Sequence, residues 1–173
     1  RFDDRVTGKL ESFAPKARII HIDIDPSSIS KNVDVDIPVV GDAKDILGKM
    51  LPFIEAQPRE AWLAQTAEWK RKYPLRYDKQ GQIKPQEVIE TLGALTDHNA
   101  IVATGVGQHQ MWAAQFIDYS RPNSWINSGG LGTMGFAVPA AMGAKMGEPH
   151  RTVWAIDGDG CFQMTNQELA TCV

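Results

Sequence analysis

Strand-like and helix-like segments alternate along the chain, and the alternation predicts an α/β protein of parallel-sheet, three-layer α/β/α domains. Three observations carry that prediction. Short apolar or alternating runs recur at 18–25, 37–40, 100–103, 125–127 and 152–156. Stretches with apolar residues at helical spacing stand between them. Each run leads into a glycine or an acid, as strands do at the ligand-binding edge of a doubly wound sheet.

Taken in order, Arg18 to Asp25 alternates apolar and polar residues and stops at Pro26, a strand pattern. Ile37 to Val40 is a second short strand running into Gly41-Asp42. Asp42 is the expected N-cap of a helix with Ile46, Leu47, Met50 and Leu51 on one face. The composition changes over residues 56–82. Pro58, Pro74, dense charge and the aromatics Trp62, Trp69, Tyr73 and Tyr77 predict a helix and a surface linker there, with a domain boundary near residue 80. Residues 1–55 and 83–173 are then two separate α/β segments.

The second segment opens with a helix over Gln86 to Leu95, apolar at 88, 89, 92 and 95. Ala100 to Ala103 is a buried-strand run into Thr104-Gly105-Val106-Gly107, and a helix follows from about Gln110 to Ile117. Trp125 to Asn127 is a short strand opening into Ser128-Gly129-Gly130-Leu131-Gly132, ahead of a small-residue helix from Gly135 to Met146. Thr152 to Ile156 is the last strand and ends in Asp157-Gly158-Asp159-Gly160, just ahead of another helix. Thr165 and Glu168 have capping-box spacing, which predicts a helix starting there and interrupted at Val173. With Arg1-Phe2-Asp3-Asp4 at the other end, the sequence reads as an internal piece of a longer chain.

Composition narrows the function classes. The 173 residues are 43% hydrophobic and 23% charged, which excludes collagen-like and disordered chains. No run approaches the roughly 18 apolar residues of a membrane span. Eighteen Lys and Arg against 21 Asp and Glu, with no basic block, make nucleic acid a poor partner. Two cysteines, Cys161 and Cys172, do not make a disulfide framework and fit a reducing, cytosol-like compartment.

The chemistry sits at three glycine-bearing turns. Val106-Gly107-Gln108-His109 lies between a strand and a helix, where backbone N–H groups attract an anion, phosphate above all. In Asp157-Gly158-Asp159-Gly160, two glycines let the backbone approach a diphosphate while Asp159 reaches a hard cation such as magnesium. Gly129 to Met134 would lie between these turns. Each motif has a plainer reading. A lone Gly-Asp-Gly is more often a turn, a lone His109 a helix-start histidine, a lone Met134 core filler, and Asp23 or Asp42 a cap or strand-end acid. Neither a dinucleotide fingerprint nor a Gly-Lys-Ser/Thr phosphate loop is present. Three such turns in one unit, each at a strand end, favour the ligand-binding reading.

At these residues the chain resembles the catalytic subunits of the acetolactate synthase (acetohydroxyacid synthase) family, which use thiamine diphosphate. The resemblance runs through Arg1-Phe2-Asp3-Asp4-Arg5-Val6-Thr7-Gly8-Lys9, His21 to Asp25, Gly41-Asp42, Gly105 to Trp112, Ser128 to Gly135 and Gly158 to Met164, in the family's order. It implies that 1–55 is the end of a Rossmann-like FAD-binding central domain and 83–173 the N-terminal part of the thiamine-diphosphate-binding fold. Residue by residue, it implies thiamine diphosphate contacts at Val106, Gly107, Gln108, His109, Gly132, Met134, Asp159, Gly160, Cys161 and Met164. Gln108, His109 and Met134 are the catalytic candidates and Asp159 a Mg2+ ligand. FAD contacts are implied at Arg1, Asp4, Val6, Asp23, Ile24, Asp42 and Ala43. Cys161 departs from the Ser or other small residue usual in the family.

The same resemblance implies pyruvate and 2-ketobutyrate as substrates, with 2-acetolactate or 2-aceto-2-hydroxybutyrate as product and FAD as a structural group. It also implies a homodimer or tetramer, a possible small regulatory subunit, and a cytoplasmic location in a bacterium or a plastid one in a plant or alga. The family's second magnesium ligand, an Asn, and its activating glutamate fall outside these residues, so the chain alone is expected to be inactive. A pyruvate-oxidase-like enzyme, a glyoxylate carboligase and a non-enzymatic binding module are the alternatives.

Overall fold

The computed structural model describes residues 2–173 and divides them into two compact units, one ending at Ala64 and the other running from Gln65 to Val173. The division falls inside a helix, Glu60–Lys72, in the stretch expected to join two segments. Among the described residues, no helix is long and apolar enough to cross a membrane.

The first unit opens with a four-residue helix α1, Asp4–Thr7, which the sequence pattern did not suggest. The Asp3 side chain caps it by accepting from the Val6 N–H, and Gly8, at φ 57°, ends it. Strand β1, Ile20–Asp23, pairs in parallel with β2, Ile37–Val40, in the register Ile20 to Ile37 and Asp23 to Val40. The alternating run at 18–25 therefore forms a shorter strand than expected, because Asp25 already caps a 3-10 turn over Pro26–Ser28 through the Ser27 N–H. Pro38, with no N–H to donate, is tolerated because this sheet has only two strands. Helix α2, Ala43–Met50, starts where expected, with Asp42 Oδ1 accepting from Asp45 N–H at 3.1 Å. Only Thr7 and His21 are buried among the described residues of this unit, while Ile20, Ile24, Val40, Leu47, Leu51 and Phe53 are exposed. Helix α3 is Glu60–Lys72.

The second unit is a three-layer sandwich on a three-stranded parallel sheet. Helix α4, Pro85–Leu95, begins with proline at its first position. Strand β3, Ile101–Thr104, is buried at every residue and lies in the middle of the sheet. Helix α5, Gln108–Phe116, leads to strand β4, Trp125–Asn127, on one side of β3. Helix α6, Ala137–Gly147, leads to strand β5, Val153–Ile156, on the other side. Side chains alternate along a strand, so β5 presents Trp154 and Ile156 to one face and Val153 and Ala155 to the other. The first face joins the core of Ile89 from α4, Val102 from β3, Ala113 from α5 and Ile117 just past the end of α5. Helix α6 packs against β3 and β5 and borders an apolar hollow with Val153 and Ala155.

The expected helix beginning at Thr165 is corrected. Helix α7 spans Asp159–Thr165, and Asn166–Cys172 continues as a 3-10 helix. Thr165 does not cap it, because its hydroxyl donates to the Gly135 carbonyl at 2.9 Å, a contact thirty residues away in sequence.

Candidate functional site

The strand order β4-β3-β5 makes β3 the point where successive crossovers leave in opposite directions. A crevice opens at the carboxyl end of the strands at such a point. Thr104 pairs with Ile156, and Gly105 N–H donates to the Ile156 carbonyl at 3.1 Å. The Val106–His109 turn and the Asp157–Gly160 turn are thereby brought side by side. Cys161, 2% exposed, clasps them: its Sγ accepts from Val106 N–H at 3.5 Å and its thiol donates to the Val106 carbonyl at 3.4 Å. A serine or a small side chain would fit the same place, as the resemblance anticipates.

Between the turns lies a cleft of about 480 Å³. Val106, Gly107, Gln108, His109, Met134, Asp159, Gly160 and Cys161 all line it, eight of the ten residues expected around one cofactor. The other two do not. Gly132 sits in the Ser128–Gly135 loop at φ 72°, its N–H donating to the Ser128 carbonyl, while Met164 lies against Gly135. Gln108 and His109 belong to the first turn of α5, so the turn and the helix start are one feature rather than two. No side chain caps α5, and the Gln108 and His109 N–H groups at its start have no intrahelical acceptor, while Gln110 N–H donates to the Gly107 carbonyl at 3.2 Å. Met134 is 43% exposed, with its terminal methyl 3.5 Å from where a Cβ on Gly160 would stand.

Glycines make this crowding possible. A Cβ on Gly105 would collide with the Asp157 carboxylate, and one on Gly107 would come within 3.0 Å of His109 Cε1. One on Gly158 would lie 3.1 Å from the same atom. Gly107 also sits at φ 153°, at the edge of the region that side chains avoid.

Asp157 stands out in the fold and not in the sequence, where it is one residue of a turn. Its side chain is 7% exposed, with Oδ1 3.8 Å from His109 Nε2. Burial pushes its carboxyl above the usual range, and the imidazole lowers it by less. His109, Asp157 and Cys161 are the one group of three possible metal-ligating side chains among the described residues, with ligand atoms within 4.8 Å of one another. Asp159, the expected Mg2+ ligand, is exposed and lies outside that group. Trp112 and Pro85 also line the cleft, and only their proximity in the fold reveals it.

In the first unit, the carboxyl ends of β1 and β2 gather Asp23, Ile24, Asp42 and Ala43, with Gly41 N–H donating to the Asp23 carbonyl at 2.9 Å. Asp23 also lines a cavity of about 320 Å³ with Phe2, His21 and Lys31. Asp4 and Val6 sit exposed on α1, and Arg1 lies outside the described residues.

A crevice between glycine turns at the carboxyl edge of a parallel sheet marks an α/β protein of the ligand-binding class. Residues 105–173 match the family described as "Thiamine pyrophosphate enzyme, C-terminal TPP binding domain", and residues 1–50 match "Thiamine pyrophosphate enzyme, central domain". The chain belongs to the thiamine pyrophosphate enzyme family. Over 99% of its length it is 56% identical to an acetolactate synthase of Mycobacterium leprae, and over 99% it is 55% identical to the acetolactate synthase large subunit of Corynebacterium glutamicum. It is 50% identical over its whole length to the acetolactate synthase isozyme 3 large subunit of Escherichia coli. The chain spans 29%, 28% and 32% of these relatives, under a third of the length of each.

Proposed function

We propose that this chain forms the thiamine diphosphate crevice of an acetolactate synthase, which decarboxylates pyruvate and joins the remaining two-carbon unit to a second 2-keto acid. The observation that carries the reading is the convergence of the Val106–His109 and Asp157–Gly160 turns on one cleft, clasped by Cys161. Thiamine diphosphate, when bound, supplies a nucleophilic carbon and an electron sink.

The chain's own groups bind and orient. The uncapped first turn of α5, with Gly107, Gln108 and His109, receives the diphosphate. Asp159 holds Mg2+ together with phosphate oxygens, since magnesium needs few carboxylates when phosphate completes its shell. Gly160 admits the cofactor next to the backbone, and Met134 supplies a soft wall beside it. Gly132, Cys161 and Met164 complete the surround. Holding the reacting groups in a fixed orientation is the protein's chief contribution to rate.

By the same reading, 1–55 ends a FAD-binding domain, 56–82 links it, and 83–173 begins the thiamine diphosphate domain. FAD contacts Arg1, Asp4, Val6, Asp23, Ile24, Asp42 and Ala43 and plays a structural part. Pyruvate and 2-ketobutyrate are the substrates of a homodimer or tetramer with a small regulatory subunit, acting in branched-chain amino-acid synthesis in a bacterial cytoplasm or a plastid. Two relatives are named as large subunits, which supports a smaller partner subunit.

The test is acetolactate formation from pyruvate by the enzyme carrying this chain at full length, given thiamine diphosphate, Mg2+ and FAD. Turnover that depends on thiamine diphosphate is the expected result. Absence of turnover together with absence of calorimetric cofactor binding would overturn the assignment. Anaerobic pyruvate is expected to leave the flavin oxidised, and bleaching would instead mark an oxidase.

A further inference from the structure

Asp157 is the one buried charged group in the cleft that the proposed chemistry leaves unused. Both of its carboxylate oxygens are buried without a hydrogen-bond partner of good geometry, and so is His109 Nε2. Buried polar atoms in that condition cost free energy until they find each other or water. The two groups stand 3.8 Å apart, so a movement of about 1 Å brings them to hydrogen-bond distance.

The imidazole has little room to turn elsewhere. A Cβ on Gly105 would sit 3.1 Å from its Nε2. The ring's Nδ1 would be 3.1 Å from a Cβ on Gly107 and 3.2 Å from one on Gly158. Gly107 and Gly158 both line the cleft, so the Nδ1 edge faces the glycines of the anion site while Nε2 faces Asp157. The nearby Cys161 thiol is already engaged by the Val106 backbone at both N–H and carbonyl. What remains is an imidazole–carboxylate pair rather than a metal cage.

We infer that Asp157 is a positioning residue: it accepts a hydrogen bond from His109 Nε2–H, fixing the ring's orientation and its tautomer and leaving Nδ1 as an acceptor on the edge that borders Gly107 and Gly158. What that edge faces rests on the proposed thiamine diphosphate site; the pair itself does not. Asp157 acts through His109, so its effect on cofactor binding vanishes when His109 is absent.

The experiment uses the full-length enzyme freed of cofactor and labelled with 15N-histidine, with the His109 ring signals assigned by their loss in His109→Gln. The ring is expected to show the Nε2–H tautomer in the wild type and to lose that preference in the near-isosteric Asp157→Leu. A wild-type ring in the Nδ1–H tautomer overturns the inference, whether or not the variant folds. Calorimetry with thiamine diphosphate and Mg2+ then closes a double-mutant cycle. Asp157→Leu is expected to weaken binding roughly tenfold in the wild-type background, the size of one charge-assisted hydrogen bond. It is expected to change binding less than twofold beside His109→Gln, whereas equal losses in both backgrounds overturn the inference. A wild type that binds no thiamine diphosphate defeats the functional proposal alone, since the tautomer is read without cofactor.

Discussion

Gly105→Ala tests how tightly the two turns are pressed together. The glycine's backbone is not in the left-handed region, so the cost of a methyl there is steric rather than conformational. That methyl would overlap the Asp157 carboxylate and come within 3.1 Å of His109 Nε2. The first contact cannot persist, and the second needs the ring to give by a few tenths of an ångström. Overpacking of this kind costs about 1–3 kcal/mol, which for a chain of this size lowers the melting temperature by roughly 2–12 °C. The assay is differential scanning calorimetry of the cofactor-free protein beside Asp157→Ala and the double variant. Removing the Asp157 side chain relieves the larger overlap but not the one with His109, so the double variant should recover part of the loss. That non-additivity should be on the order of 1 kcal/mol. A Gly105→Ala protein that melts like the wild type, or a double variant whose losses simply add, would refute the packing described for these turns.

Asp159→Asn should weaken thiamine diphosphate binding and shift it to much higher magnesium, and an unchanged affinity in calorimetric titration counts against Asp159 as the metal ligand. Asp23→Ala should lower FAD occupancy, read from flavin absorbance per subunit, while leaving thiamine diphosphate binding nearly intact; equal loss of both would indicate unfolding instead. Glu90 accepts hydrogen bonds from Tyr77 and Lys79, and the Tyr77 bond, the larger effect, holds its carboxyl below the usual value. Its contribution to stability is therefore present above the unfolded carboxylate pKa and fades as pH falls through the lower folded value. Glu90→Gln should flatten that part of the acid limb in melting curves taken against pH, and an identical limb would refute the linkage.

Much of this fold was legible because its strands announce themselves at both ends. Ile37–Val40 and Trp125–Asn127 begin and end where the apolar runs do, since Gly41 and the Ser128-Gly129 turn stop them. Asp42 caps α2 as expected from its place ahead of the apolar face at Ile46, Leu47 and Met50. Local pattern failed where a distant partner decides. Thr165 has the sequence of a cap, but its hydroxyl serves Gly135, so the last helix starts earlier, at Asp159, behind an uncapped Gly158. The four-residue α1 is too short to show a period and rests on Asp3. In the site, glycine and acid spacing pointed to both turns. It did not reveal that Asp157 faces His109 or that Trp112 borders the cleft, because burial across a sheet edge leaves no mark on neighbouring residues.

The parallel pairing of β3 with β5 also dictates when the crevice comes into being during folding. Thr104 meets Ile156 only after the 51 intervening residues, with α5, β4 and α6, have been drawn into a closed crossover. Closing a loop of that length is entropically costly before any contact rewards it, so such pairings form late. The cleft therefore exists only in chains that have completed this step, and a cofactor caught between the turns draws the folding equilibrium forward by binding the finished state alone. Refolding with thiamine diphosphate present should accordingly raise the final yield while leaving the early rates unchanged.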